Sequence, residues 1–253
     1  VASKYFKADP ATVILHPKDS AAAGEVNWIE VTSGVHHSIA GCIDDIRIGA
    51  EAVRRVTDPL RIDIATAGSH PFANPAYQRV TDSSRYAELV NRTQYWGRQM
   101  LLFGTHVHVG IDKRDKVLPI MRAMLTRGFH IQALSSSSPY WAGEHTKYAS
   151  NRAMVFQQLP TAGTPRQFAE WEELESFTHD LQKTGVIEDF NEVRWDIRPS
   201  PGWGTLETRV CDANTNIHEL PAIAALIHCL VDYFSTELDE GREIPTMPDW
   251  GVI

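Results

Sequence analysis

The chain has 253 residues, a net charge of −8 and an apolar fraction of 43%. This length allows one large domain or two small ones, and the apolar content is sufficient for a buried core, which excludes a disordered chain. The acidic balance argues against nucleic acid as the main partner, and no apolar run reaches the roughly 18 residues of a membrane span.

The first half of the chain shows alternating helix and strand patterns. Apolar spacing predicts a helix from Ile39 to Val56, and residue alternation predicts a strand from Leu60 to Ala67. A helix is expected over 85–100, followed by a strand within 102–111. A largely apolar, buried helix is predicted over 117–134, and a loop follows it to about Lys147.

The second half contains a helix, two polar-faced strands and a last helix. Thr164 is expected to cap the first helix and Gly185 to follow its end. The strands, 193–200 and 205–212, are joined by a short Gly/Pro turn, which favours an antiparallel hairpin. With a final helix over 219–238, the order predicts an α+β fold with helices packed on one face of a mostly antiparallel sheet.

Two histidines stand one residue apart in the strand LFGTHVHVGI. Because side chains alternate along an extended chain, Val107 and Val109 face one way and His106 and His108 face the other. The imidazoles are then about 7 Å apart, which suits one cluster of metal and ligand. The same pattern would also fit an ordinary wetted sheet face.

The two later strands repeat this division into an apolar and a polar face. Their polar faces contain three arginines and no lysine, and arginine is suited to planar recognition of carboxylate and phosphate. We therefore predict that the polar face of the sheet is functional. These faces are formed by Arg194, Asp196 and Arg198 in one strand and by Glu207, Arg209 and Cys211 in the other.

The cysteine spacing and the amino-terminal sequence indicate the cellular compartment in which the protein is expected. The three cysteines, Cys42, Cys211 and Cys229, show no CxxC spacing, and no secretory signal is visible. A reduced, cytoplasmic protein is expected. Cys211 is interpreted as a small buried residue rather than a nucleophile.

The strings GTHVHVGI, SSSSPYWAGEHTKYASNR and WDIRPSPGWGTLETRVCDANT resemble the type 2 glutamate–cysteine ligase family, in particular its bacterial carboxylate–amine ligase group. The segments IEVTSGV and GSHPF match further parts of that family, and the resemblance extends from about Asn27 to Trp250. It implies a single glutamine-synthetase-like catalytic domain over 1–253, built on a curved, mostly antiparallel sheet. Relative to the family the chain looks shortened at both ends.

The resemblance also implies an activity. ATP would activate the γ-carboxylate of L-glutamate as an acyl phosphate, and the amine of L-cysteine or a related amine would attack it, with Mg²⁺ or Mn²⁺ as the metal. His106 and Glu207 resemble metal ligands, with Glu30 as a candidate further carboxylate. His108 would contact the ATP phosphates, with Arg152 as a candidate anion binder. The residues that would bind glutamate or the transferring phosphoryl group are Arg194, Arg198 and Arg209.

Two alternatives remain open. The family's N-terminal G-x-E-x-E segment is not found here, which favours a non-catalytic remnant that binds nucleotide or amino acid. A cupin-like metalloenzyme would need a third, late histidine, for which His218 and His228 are the candidates. The acceptor amine is open, and a homodimer is expected by analogy only.

Overall fold

A computed structural model describes residues 13–14, 29–78 and 84–246. The helices and strands are, in chain order, β1 (Val13–Ile14), β2 (Glu30–Val31), α1 (Ile39–Thr57), α2 (Ser84–Thr93), α3 (Tyr95–Arg98), β3 (Gly104–Gly110), α4 (Val117–Ser135), β4 (Tyr140–Trp141), β5 (Glu144–His145), α5 (Asn151–Phe156), β6 (Ala162–Gly163), α6 (Trp171–Lys183), β7 (Arg194–Trp195), β8 (Ile197–Ser200), β9 (Thr205–Asp212) and α7 (Glu219–Asp239).

A three-stranded antiparallel sheet positions the polar residues singled out above. Its strand order is β3-β9-β8, and β8 and β9 form the expected hairpin. Glu207 is paired with His108 on one side and with Arg198 on the other. These three residues therefore form one row across the sheet, with their side chains on the same face.

A β-bulge interrupts the pairing of β3 with β9. Thr105 is paired with Cys211, but Val107 is paired with Thr208, so two residues of β9 oppose His106. Beyond the bulge, Val210 and Cys211 both belong to the hydrophobic core. Asp212 is then paired with Gly104, which shares a face with the two histidines.

The apolar face of this sheet is covered by α4 and α7. Both helices contact the sheet and each other, and their buried side chains join those of the strands in one core. The expected α+β architecture, with helices packed on one face, is confirmed; the glutamine-synthetase-like assignment stays a prediction. The fully buried core side chains include Ile120, Met121, Met124, Ile227 and Phe234.

Several predicted boundaries are confirmed and others are wrong. The helices predicted over 39–56, 117–134 and 219–238 are present. The strand predicted over 60–67 is not. A short 3-10 helix ends at Leu60, and Ile62 and Ile64 are exposed. Among the residues that the structure describes, no strand pairs with this segment.

The helix predicted from Thr164 begins seven residues later, at Trp171, where Glu170 and Glu173 form a capping box. Thr164 instead donates a hydrogen bond to Asp196 at 3.5 Å. Ala162 and Gly163, just before Thr164, pair with β7 in a separate parallel ladder, which keeps the chain extended where the helix was expected to begin. The predicted end is confirmed, since Gly185 adopts a left-handed φ of +72°.

Two more predicted elements are divided. Gln94, at φ +49°, separates α2 from α3 within the helix predicted over 85–100. The strand predicted over 193–200 is split between β7 and β8, which lie in different sheets. The loop expected between Ser135 and Lys147 contains the short β4–β5 hairpin.

In the part of the chain that the structure describes, no helix has the length and apolar character needed to cross a membrane.

Candidate functional site

Glu207 is the centre of the candidate site. Its side chain is 2% exposed, and each of its carboxylate oxygens accepts a hydrogen bond from an arginine. Nε of Arg198 donates to Oε2 at 2.6 Å, and Nη1 of Arg209 donates to Oε1. The two guanidinium groups carry one more charge than the carboxylate between them, so the cluster can attract an anion.

Arg198 is held from its other end as well. Its Nη1 donates to the backbone oxygen of Asn191 at 3.0 Å and to that of Val193. These carbonyls lie just before β7, so the guanidinium bridges that segment and β9. A side chain fixed in this way presents a planar donor group at a defined angle.

The two histidines lie at the more accessible edge of the carboxylate. Nδ1 of His106 and Nε2 of His108 are each 3.6 Å from Oε1 of Glu207. His108 is oriented by a 2.9 Å hydrogen bond between its Nδ1 and the hydroxyl of Thr205. Both imidazoles are about one-third exposed, whereas Glu207 lies beneath them.

The pKa values of these groups reflect burial and mutual interaction. Burial alone would raise the pKa of Glu207, but Arg209 and Arg198 together hold it at about 2. Burial lowers the pKa of His106 well below its usual value, and that of His108 is also lowered, in both cases against the opposing effect of Glu207. At neutral pH the site therefore contains neutral imidazoles around an ionised carboxylate.

Arg152 joins the site from α5. Its side chain is almost completely buried, and its Nη2 donates to the backbone oxygen of Arg209 at 3.2 Å. The guanidinium lies against Gly104 so closely that a Cβ there would overlap it. An arginine in a surface ion pair would be exposed, so Arg152 does not have that role. Burial lowers its pKa while Asp212 opposes this effect.

Two predicted site residues lie elsewhere in the fold. Arg194 is in β7, which pairs with β6 rather than with β8 or β9, and its Nη1 donates to the backbone oxygen of Glu192 at 2.7 Å. Glu30 is in β2, which pairs with β1. In the described part of the chain, the carboxylate near the histidines of β3 is that of Glu207, and no ion pair joins them to Glu30.

Sequence reasoning missed a buried carboxylate next to Arg152. Asp212 accepts hydrogen bonds from the backbone or hydroxyl groups of three serines, Ser137, Ser138 and Ser150. The available signal was the SSSS run together with the closing aspartate of TLETRVCD. The pairing of the two could not be read from the sequence, because they are more than sixty residues apart.

The family resemblance implies a metal ion, for which His106 and Glu207 are the candidate ligands. Within the described ranges 29–78 and 84–246, no group of three or more His, Cys, Asp or Glu side chains could hold a metal ion. Both oxygens of Glu207 already accept hydrogen bonds from arginines. The described residues therefore do not fit a resident metal. The late histidines also fail to complete a cupin-like set, since His218 lies at the N-terminus of α7 and His228 within it, and neither is on a strand of the sheet.

The geometry defines a class of site: an arginine-bound carboxylate flanked by neutral imidazoles, suited to anionic ligands. Residues 21–251 match the family model described as glutamate–cysteine ligase family 2, and the chain belongs to this family.

Curated relatives agree with this assignment. The chain is 54% identical over 227 residues to "Putative glutamate--cysteine ligase 2-1" of Arthrobacter sp. (strain FB24), covering 90% of this chain and 59% of that protein. It is 53% identical over 226 residues to "Putative glutamate--cysteine ligase 2" of Mycobacterium ulcerans (strain Agy99), covering 89% and 58%. A relative with the same printed name from Leifsonia xyli subsp. xyli is 53% identical, with 90% and 60% covered. The chain thus spans about three-fifths of the length of these relatives.

Proposed function

We propose that this chain is an ATP-dependent carboxylate–amine ligase that joins the γ-carboxylate of L-glutamate to the amine of L-cysteine or a related amine. The observation that carries the proposal is the row of His108, Glu207 and Arg198 across the sheet, with Arg209 on the same carboxylate. Family membership supports the same reaction class.

The chemistry has two steps. A γ-carboxylate oxygen attacks the terminal phosphorus of ATP, which forms an acyl phosphate and releases ADP. The amine nitrogen then attacks the acyl carbon, the carbon–oxygen bond to phosphate breaks, and the nitrogen loses a proton. Both transition states concentrate negative charge on oxygen, which fixed guanidinium groups stabilise.

The residues have separate roles in this proposal. Arg198 and Arg209 bind the glutamate carboxylate or the transferring phosphoryl oxygens, and Glu207 holds both guanidinium groups in place. His108, neutral and oriented by Thr205, donates to a phosphate oxygen. Arg152 adds positive charge where its guanidinium lies against Gly104.

Covalent catalysis by a cysteine is not part of this route. Cys211, the thiol nearest to the site in sequence, is completely buried in the core, and burial raises its pKa to about 11. The route assigns no step to a protein-bound metal, because no group of three or more metal-binding side chains is found among the described residues. In solution ATP carries Mg²⁺ as its counter-ion, so the ADP-release assay described below contains this ion.

A second candidate is a non-catalytic protein that binds nucleotide or amino acid through the same cluster. The observation that favours it is the shortage of metal-binding carboxylates among the described residues. It predicts binding of ATP without turnover.

The deciding experiment measures ADP release from ATP with L-glutamate, with and without L-cysteine and a panel of other amines. Glu207→Gln should abolish amine-stimulated release. Glu237→Gln is the matched control, since Glu237 pairs with Arg242 on the surface, away from the sheet. Turnover that survives in Glu207→Gln would contradict the proposal, and ATP binding without release in the unmodified chain would support the non-catalytic candidate.

A further inference from the structure

We propose that Asp212 is a positioning residue that fixes the guanidinium of Arg152 through two serine hydroxyls. The guanidinium is thereby held beside the cluster of Glu207, Arg198 and Arg209, which is called the anion site below. The inference rests on the proposed function only in assigning Arg152 to ligand binding. The hydrogen-bond connections themselves are independent of the reaction.

Asp212 is a completely buried carboxylate whose oxygens accept hydrogen bonds from two segments, residues 137–138 and Ser150. Its Oδ2 accepts from the backbone N–H of Ser137 at 2.9 Å and from the hydroxyl of Ser138 at 2.7 Å. Its Oδ1 accepts from the hydroxyl of Ser150 at 2.8 Å. Hydrogen bonds to an ionised acceptor are about twice as strong as neutral ones, which compensates for burying the charge.

The hydroxyls of Ser138 and Ser150 connect the Asp212 carboxylate to the first turn of α5. The Ser138 hydroxyl accepts from the backbone N–H of Arg152 at 3.0 Å, and the Ser150 hydroxyl accepts from that of Ala153 at 3.2 Å. Each serine thus donates to the carboxylate and accepts from the first turn of the helix. A helix of six residues is too short to be stable alone, so its orientation depends on such contacts.

The other end of Arg152 shows why the position matters. Its guanidinium occupies the space over Gly104 and donates to the backbone of Arg209, the residue that also binds Glu207. A small movement of α5 would therefore displace a charge that belongs to the anion site. Asp212 also lies against Gly68, whose N–H donates to the Ser137 hydroxyl at 2.9 Å, so a third segment packs at the same point.

Asp212→Asn tests the proposal, because a carboxamide has one acceptor oxygen where the carboxylate has two. We expect kcat/KM for ATP to fall by about tenfold or more, the scale of a lost charged hydrogen bond. Ser138→Ala and Ser150→Ala each remove one connection and should give smaller losses in the same direction. Ser136→Ala is the matched control, since the Ser136 hydroxyl donates to the backbone oxygen of Gln132 in α4; this variant should leave turnover unchanged.

A double-mutant cycle separates positioning from general stability. If Asp212 acts through Arg152, then Asp212→Asn should cost less than about threefold in an Arg152→Lys background. Full additivity of the two losses would overturn the proposal.

A second readout does not need turnover. Hydrogen exchange of the Arg152 and Ala153 amides should be faster in Asp212→Asn and in both serine variants than in Ser136→Ala. If the unmodified chain releases no ADP, the proposed function fails while the exchange result still decides whether Asp212 holds α5. Unchanged protection of these amides would overturn the inference.

Discussion

Nε of Arg198 lies 2.6 Å from Oε2 of Glu207, directly across the pairing of β8 with β9. Both side chains of this pair are almost excluded from solvent. In the surface pair of Arg242 with Glu237, by contrast, the arginine is half-exposed. A buried pair is costly to break, because the remaining partner keeps its charge without full compensation.

Arg198→Ala should therefore lower the free energy of unfolding by about 3 kcal/mol, the range for losing one partner of a buried pair. Arg242→Ala, which removes a half-exposed partner of Glu237, should cost less than about 1 kcal/mol. Urea denaturation of both variants gives the comparison. Equal costs would show that Glu207 does not depend on Arg198.

Acid should destabilise the fold through Glu207. Its pKa is about 2 in the folded protein and near 4.5 when unfolded, so its contribution to stability is fully present above pH 4.5. That contribution is lost as the pH falls from 4.5 towards 2. The difference in unfolding free energy between the unmodified protein and Glu207→Gln should shrink across that window, which a pH series of urea titrations measures.

The site histidines should titrate below their usual range. Because folding lowers the pKa of both, the unfolded chain binds protons more readily, and their contribution to stability decreases as the pH falls below 6.5. Imidazole chemical shifts of His106 and His108, followed by NMR from pH 8 to pH 4, would show this. Glu207→Gln should lower both pKa values further, since the carboxylate favours the protonated rings; a rise would contradict the described geometry.

The cysteines should differ sharply in reactivity. Cys211 is completely buried with its pKa raised to about 11, whereas Cys229 is exposed on α7. A thiol reagent should label Cys229 in the native protein and Cys211 only after unfolding. Rapid native labelling at Cys211, located by peptide mass spectrometry, would place it on the other face of the sheet.

Gly104 should not tolerate a side chain. A Cβ at this position overlaps the guanidinium of Arg152, so Gly104→Ala should displace that group and weaken ATP binding. Gly128→Ala is a suitable comparison, because nothing lies within 4 Å of the added carbon in α4. That variant should bind ATP normally and gain roughly 0.5 kcal/mol in stability. Calorimetric binding and thermal melting of both proteins check the pair.

The fold was predictable where one segment carries its own signal. Apolar periodicity predicted α1, α4 and α7, alternation predicted β3, and the short Gly/Pro turn predicted the β8–β9 hairpin. The strand expected over 60–67 was wrong because alternation does not specify a partner strand. Thr164 carries a helix-start signal, but pairing of Ala162–Gly163 with β7 prevails over it.

The site was predictable in part for the same reason. Alternation alone places His106 and His108 on one face of β3. The position of Glu207 between His108 and Arg198 depends on the register of three strands, which no single segment encodes. Alternation also put Cys211 on the face of Glu207, and the bulge opposite His106 makes this wrong.

That bulge has a consequence for how the sequence can vary. One additional residue in β9 turns a thiol away from the ligand side and brings the next carboxylate, Asp212, round to the serines that support α5. If the same residues paired regularly, Cys211 would oppose Gly104 on the ligand side, and Asp212 would face the hydrophobic interior without its serine partners. Variation in this strand is therefore limited by the irregular pairing that the bulge sets, as well as by the identity of each side chain.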